Sequence, residues 1–307
     1  MQPLRASLLA ALLFITLLCG RAQAATYAIN GDIAGAIIHY TVQQGDTLYG
    51  IARRYDLGIV EIMAANPGLD PWMPPPGLAL TLPTAHILPP GPRQGVVINL
   101  PEMRLYYFSD ARTVMTFPIG IGKEGWRTPT GETKIVRKRK DPVWIPPESI
   151  HAETPGLPRV FPAGPDNPLG THALNLGWPG VVIHGTNRPY GIGRRSSHGC
   201  IRLYPEDIPV LFSHVDIGTK VRVIDAPLKA GMFENSLLLE VMPQQKQADE
   251  IMKHGSVMTP AHADGVEAII RQAAPAGIHI DWNAVNAALQ VRSGMPVLIG
   301  ARSRMNE

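Results

Sequence analysis

The apolar positions of this chain fall into three patterns, and the changes between them mark its modules. The first apolar run, 8–18, has no polar face, follows Arg5 and ends at Ala22-Gln23-Ala24. A basic start, a short apolar stretch and an A-x-A end are the pattern of a cleaved export signal, and the run is too short to span a bilayer comfortably. Residues 1–24 are therefore expected to be a signal peptide. From 39 to 83 the period changes twice. "HYTV" alternates as a strand, then Leu48, Ile51, Ala52 and Tyr55 recur at helical spacing after the Gly45-Asp46 turn, with Asp46 or Thr47 as the cap. "IVEIMAAN" predicts a second short helix and "LALTLP" a closing strand, a β-α-α-β unit. Prolines cluster over 70–92, and 84–93 is expected to link this unit to the next.

From 94 onward a period of two dominates. Val96, Ile98 and Leu100 alternate, 105–108 is aromatic and β-prone, and Pro101-Glu102 between them predicts a hairpin. "TVMTFPIGIG" and "VVIH" read as further strands, so 94–226 is expected to be a mainly β domain with short helices. The tail, 227–307, reads as a small α/β extension: "QKQADEIMKHG" and "AVNAALQVRSG" are helical, "MPVLIG" is a strand. No polar constellation stands out there, so packing is its expected role.

Composition narrows the functional classes. The 307 residues suffice for two or three modest domains, and 45% hydrophobic residues give each a core. Thirty prolines and thirty glycines, spread along the chain with only 17% charged residues, fit a loop-rich β protein rather than disorder. The net charge of +3 falls to +1 once Arg5 and Arg21 leave with the signal (3 − 2 = 1), which is no footprint for nucleic acid. The basic run "KIVRKRK", 134–140, alternates Ile135 with charges and reads first as a solvated strand face, with an acidic substrate as the lesser alternative. Residues 120–125 fit G-x-G-x-x-G, but "WRTPTGETKIV" follows as turn and strand. A dinucleotide site needs a helix opening there, so nucleotide binding is not expected.

Removing residues 1–24 takes Cys19 with them and leaves Cys200 as the one cysteine. A lone thiol in an exported protein is a buried inert group, an intermolecular bridge or a reactive group. "VVIH" ends at His184, a loop rich in Gly, Pro and Arg follows, and "SSHGC" closes it sixteen residues later. An adjacent imidazole can generate the thiolate that a free thiol lacks at neutral pH. The imidazole needs a third group to fix its tautomer; no Asp or Asn is placed for this, but a backbone carbonyl can serve. Gly199 lets backbone N–H groups approach an oxyanion beside the nucleophile. Two alternatives stay open at this level: a zinc site of His184, His198 and Cys200, and a small buried structural cysteine.

"HGT" at 184–186, "SHGCIRL" at 197–203 and "GIGKEGWRTPTGE" at 120–132 resemble the signature of the L,D-transpeptidases with the YkuD fold, over roughly 94–226. "YTVQQGDTLYGIARRY", "IMAANP" and "GLALTLP" resemble a LysM module. The resemblance implies a YkuD-like β-sandwich or barrel, with Cys200 as nucleophile, His184 as base and the Gly185 carbonyl orienting the imidazole. Ser197, His198, Gly199 and Arg202 would shape the substrate and oxyanion site, with no metal or organic cofactor. It further implies peptidoglycan as partner, its glycan held by LysM and its tetrapeptide stem as acyl donor, in the periplasm. D-Ala would leave, and carbapenems would acylate the cysteine. The order of signal, LysM, catalytic domain and extension resembles the Gram-negative enzymes that attach Braun-type lipoprotein to the wall. A lipoprotein lysine is thus the first expected acceptor, with diaminopimelate or water as the others. The rival from another class is a wall-binding protein with an inert second domain.

Overall fold

A computed structural model describes residues 25–259 and 264–302; the expected signal peptide lies outside them. A nine-stranded sheet organises the middle of the chain. From edge to edge its strands are Ala25–Ala28, Thr113–Pro118, Arg104–Phe108, Gly95–Asn99, Lys220–Ile224, Gly131–Lys140, His172–Leu176, Val182–His184 and Ile201–Arg202. Neighbours are antiparallel except Gly95–Asn99 beside Lys220–Ile224, and Val182–His184 beside Ile201–Arg202. The mainly β expectation holds, and the expected hairpin forms through a turn in which Met103 takes a positive φ of 50°. The edge strand Ala25–Ala28 was not legible as a strand beforehand. Strand Gly95–Asn99 is buried on both faces: Val96 and Ile98 face the main core, while Val97 packs with Tyr106, Phe108 and Val114 in a smaller one. No helix opens after 120–125; that segment itself holds a short strand, Ile121–Gly122, and a turn, and strand Gly131–Lys140 comes next.

The β-α-α-β unit forms as read. Strands Ile38–Thr41 and Ala79–Leu82 pair antiparallel around helices Leu48–Arg54 and Ile59–Ala65. Thr47 is the cap, its Oγ1 accepting from the Gly50 N–H at 3.0 Å. Asp46 instead accepts from the Tyr40 hydroxyl and the Gln43 N–H. The unit does not stand apart. Leu48, Ile51, Leu57 and Ile62 belong to one continuous apolar core with Leu100, Met103, Phe117 and Ile119. The stretch 84–93 is packed over its first half: His86–Ile87 pairs with Ile33–Ala34, and His86 is 1% exposed.

The extension builds a second core. Strands Leu228–Phe233, Ser236–Val241, Pro296–Arg302 and Ile278–Ile280 lie in that order, with Leu237, Leu239 and Val241 packed on Ile270, Val285 and Ile299. The helix Gln245–His254 leaves this unit and places Ala248 and Ile251 in the main core. The expectation of no polar constellation in the tail is overturned. Lys229 and Glu240 are buried, and the Lys229 ammonium lies 2.8 Å from Glu102 and 3.1 Å from Glu240. Glu102 also accepts from the Tyr106 hydroxyl. Arg104 pairs with Glu61 at 2.7 Å, and His86 Nδ1 lies 3.7 Å from Glu61 and 3.6 Å from Glu102. This buried network joins the β-α-α-β unit, the stretch after it, the large sheet and the extension. Among the described residues, no helix is long and apolar enough to cross a membrane.

Candidate active site

Strands Val182–His184 and Ile201–Arg202 run parallel, with Ile183 opposite Ile201 and His184 opposite Arg202. Directly opposed strand residues share a face, so Cys200, one step before Ile201, falls on the side of Val182, His184 and Arg202. The sequence folds this way because Ile183 and Ile201 point into the core, both fully buried. Alternation then sends the three candidate site residues, His184, Cys200 and Arg202, to the other face. The loop between the two strands carries the chain from His184 back to Cys200.

His184 is buried, and its Nδ1 donates to the Gly185 carbonyl at 2.6 Å. That bond assigns a proton to Nδ1, and the Leu169 carbonyl is a second backbone partner of the ring. Burial first, and the positive Arg202 second, hold the imidazolium form off and push its pKa down to about 3. The ring is a neutral base at any physiological pH. Burial likewise pushes the Cys200 thiol up, opposed by the Val182 N–H and by Arg202. The thiol donates to the Gly180 carbonyl at 3.4 Å. The resting pair is thus thiol and imidazole, not thiolate and imidazolium.

The turn before Cys200 is tied from inside. Ser197 is buried; its Oγ donates to the Cys200 carbonyl at 2.5 Å and accepts from the Gly199 N–H at 3.2 Å. Gly199 has φ +95°, which only glycine adopts without strain. Its carbonyl accepts from Thr128 Oγ1 at 3.1 Å. The Gly199 N–H thus donates within the turn, to Ser197 Oγ. His198 turns away from the thiol. Its Nε2 lies 2.9 Å from Glu153, and its ring meets Trp126 edge-on at 4.9 Å. Arg202 stays on the active face, its Nη1 reaching the Ser196 carbonyl at 3.3 Å while its buried Nε has no partner.

Sequence reasoning missed Glu153. It ends the short helix Glu148–Glu153 in the excursion from 141 to 167. Its carboxylate accepts from Lys123 Nζ at 2.9 Å, Trp126 Nε1 at 2.7 Å and His198. These three donors hold its pKa down to about 2. The root of the excursion is fixed by Asn167, whose amide donates to the carbonyls of Pro142, Phe161 and Pro162. Trp126 lies in a motif that was noticed, but nothing local to Glu153 marks it, since its partners are 27 or more residues away.

The zinc alternative needs three donor atoms facing one point. Among the described residues only His86, Glu102 and Glu240 come that close, and the Lys229 ammonium already bridges the two carboxylates. His184, His198 and Cys200 each address a different partner. The basic strand 134–140 is mostly exposed, except for the buried Ile135.

The loop between His184 and Cys200 also rests on the LysM unit. Gly193 and Gly58 are in backbone contact, where a methyl on either would overlap the other residue. The Val60 N–H donates to the Gly193 carbonyl at 3.1 Å. Just past Cys200, Arg53 pairs with both Glu206 oxygens at 2.7 Å, and the Tyr204 hydroxyl donates to the Leu57 carbonyl at 3.2 Å.

Residues 93–223 match the YkuD family, the L,D-transpeptidase catalytic domain, and residues 40–83 match the LysM domain. Whole-chain similarity is broad. The probable L,D-transpeptidase YbiS of Escherichia coli is 38% identical over 303 residues, covering 95% of this chain and 97% of the relative. The probable L,D-transpeptidase ErfK/SrfK of Salmonella typhimurium is 40% identical, covering 88% of each chain. The probable L,D-transpeptidase YcfS of Escherichia coli is 40% identical, covering 84% of this chain and 82% of the relative.

Proposed function

The chain belongs to the L,D-transpeptidase family, and from that premise we propose that it is an exported, periplasmic cysteine acyltransferase that joins an outer-membrane lipoprotein to peptidoglycan. The donor is the tetrapeptide stem. Cys200 attacks the carbonyl between meso-diaminopimelate and the terminal D-Ala while His184 Nε2 takes the thiol proton. The imidazolium returns that proton to the departing D-Ala amine, leaving a thioester on Cys200. A lysine amine then attacks the thioester, His184 takes its proton, and the Cys200 thiol is restored.

The observation that carries this reading is the His184 tautomer. The Gly185 carbonyl holds the proton on Nδ1, so the basic Nε2 belongs to the face that Cys200 shares. The raised thiol pKa fits a nucleophile that ionises only as its proton is taken. Arg202, half-buried, cationic and with an unpartnered Nε, suits a substrate carboxylate. LysM supports a glycan-bearing donor. The order of modules, with an extension after the catalytic domain, supports a lipoprotein acceptor, and the likeness to the three relatives reaches into that extension.

The test is mass spectrometry of residues 25–307 mixed with disaccharide-tetrapeptide and a peptide ending in lysine. Loss of D-Ala with a new bond to that lysine is the expected result. Loss of D-Ala with only tetrapeptide dimers would make the enzyme a 3-3 cross-linker, and loss with no new bond a carboxypeptidase. No D-Ala release would return the wall-binding reading.

A further inference from the structure

The loop that carries the candidate catalytic pair meets the LysM unit through aromatic rings as well as backbone. Tyr190 lies in the turn Pro189–Gly191, six residues after His184. Its ring meets Tyr49 edge-on at 5.4 Å and Trp72 at 5.6 Å, and Tyr49 and Trp72 lie 4.6 Å apart. Tyr49 is 8% exposed, but Trp72 and Tyr190 are 51% and 58% exposed. A cluster that served only to seal the seam would gain more by burying these rings. Instead two large apolar surfaces from two modules stay in water side by side, continuous with the interface between them.

The surface is also held in place. Asp70 accepts from the Trp72 N–H at 2.8 Å, and the Leu48 N–H donates to the Pro71 carbonyl at 2.8 Å. On the other side, the Gly58–Gly193 contact and the Val60 to Gly193 hydrogen bond pin the loop that bears Tyr190. An N-acetylglucosamine ring offers aromatic side chains a flat face of C–H groups, with its hydroxyls at the rim. Such a ring stacks on preformed aromatic faces at small ordering cost.

We propose that Trp72 and Tyr190 form one glycan-stacking surface, built half from LysM and half from the catalytic loop, that binds an N-acetylglucosamine-containing strand. The glycan and the stem peptide of the substrate are then gripped by one rigid body rather than by two tethered modules. The inference rests on the reading above of LysM as the glycan holder and of the stem as acyl donor.

Two measurements test it. The first is calorimetric titration with an N-acetylglucosamine tetramer, which requires no catalysis. Tyr190→Leu keeps the seam filled but removes the flat ring, and it is expected to weaken binding about tenfold, as is Trp72→Leu. Tyr190→Phe keeps the ring and is expected to bind within about twofold of the parent, with all three melting cooperatively. Unchanged binding in Tyr190→Leu, or no binding by the parent chain, overturns the proposal. The second is the ratio of kcat/KM for disaccharide-tetrapeptide to that for free tetrapeptide. It is expected to exceed one in the parent and fall toward one in Tyr190→Leu; a ratio that does not change overturns the coupling. Failure of D-Ala release would count against the acyl-transfer reading, while the titration still decides the glycan surface.

Discussion

At the scale of single residues, the proposed mechanism needs a Cys200 thiol that stays protonated until substrate arrives. Burial raises the Cys200 thiol and depresses the His184 imidazolium, so both rest neutral. Alkylation of Cys200 by iodoacetamide should therefore be slow at neutral pH and rise roughly tenfold per pH unit, continuing past the ordinary thiol range near 8.5. Measured rates that reach a plateau below pH 7 would mean a preformed thiolate and contradict this arrangement. The proposed mechanism also requires His184 as the base. His184→Ala should lower kcat for D-Ala release by about 10²–10⁴-fold. The mutant thiol should still titrate, which separates a lost base from a lost fold.

At the scale of elements, the loop between the two parallel strands is shaped by what it rests on. Gly193 has φ +72°, and its backbone lies against Gly58 and Ile59. Gly193→Ala should cost about 2 kcal/mol or more, read by denaturant unfolding, because a side chain there must push the loop off the LysM unit. The strands of 94–108 and the helices of 48–65 were legible because their apolar positions recur at regular spacing. Cys200, His184 and Gly185 were legible because their motif is local. Glu153 was not, since its role comes from three donors brought to it by the fold. The hairpin Leu228–Phe233 and Ser236–Val241 was not read although Leu237, Leu239 and Val241 alternate; Lys229 and Glu240 hold its polar positions, and nothing local marks them as buried.

At the scale of the whole molecule, the modules behave as one body because a buried charge network spans them. Burial pushes Glu240 up to about 8 from an ordinary 4.5, against the pull of Lys229. A raised folded-state pKa means the folded chain holds a proton that the unfolded chain has lost between those values. Glu240's contribution is thus full below its unfolded pKa and is lost as pH rises through about 8. His86 has the opposite sign: its depressed pKa contributes stability above its unfolded value of 6.5, lost as pH falls. Thermal melts from pH 5 to 9 should show the parent losing stability toward alkaline pH relative to Glu240→Gln. Parallel curves would contradict a buried, proton-holding Glu240. Because the network includes Glu61 of LysM and Lys229 of the extension, the loss should appear as one cooperative transition.

The central claim is acyl transfer through Cys200, and intact-protein mass spectrometry tests it most directly. Residues 25–307, quenched in acid early in a reaction with disaccharide-tetrapeptide and no acceptor, should carry the donor less D-Ala on Cys200. Cys200→Ala should carry nothing and release no D-Ala. D-Ala release by Cys200→Ala at the parent rate would contradict the account.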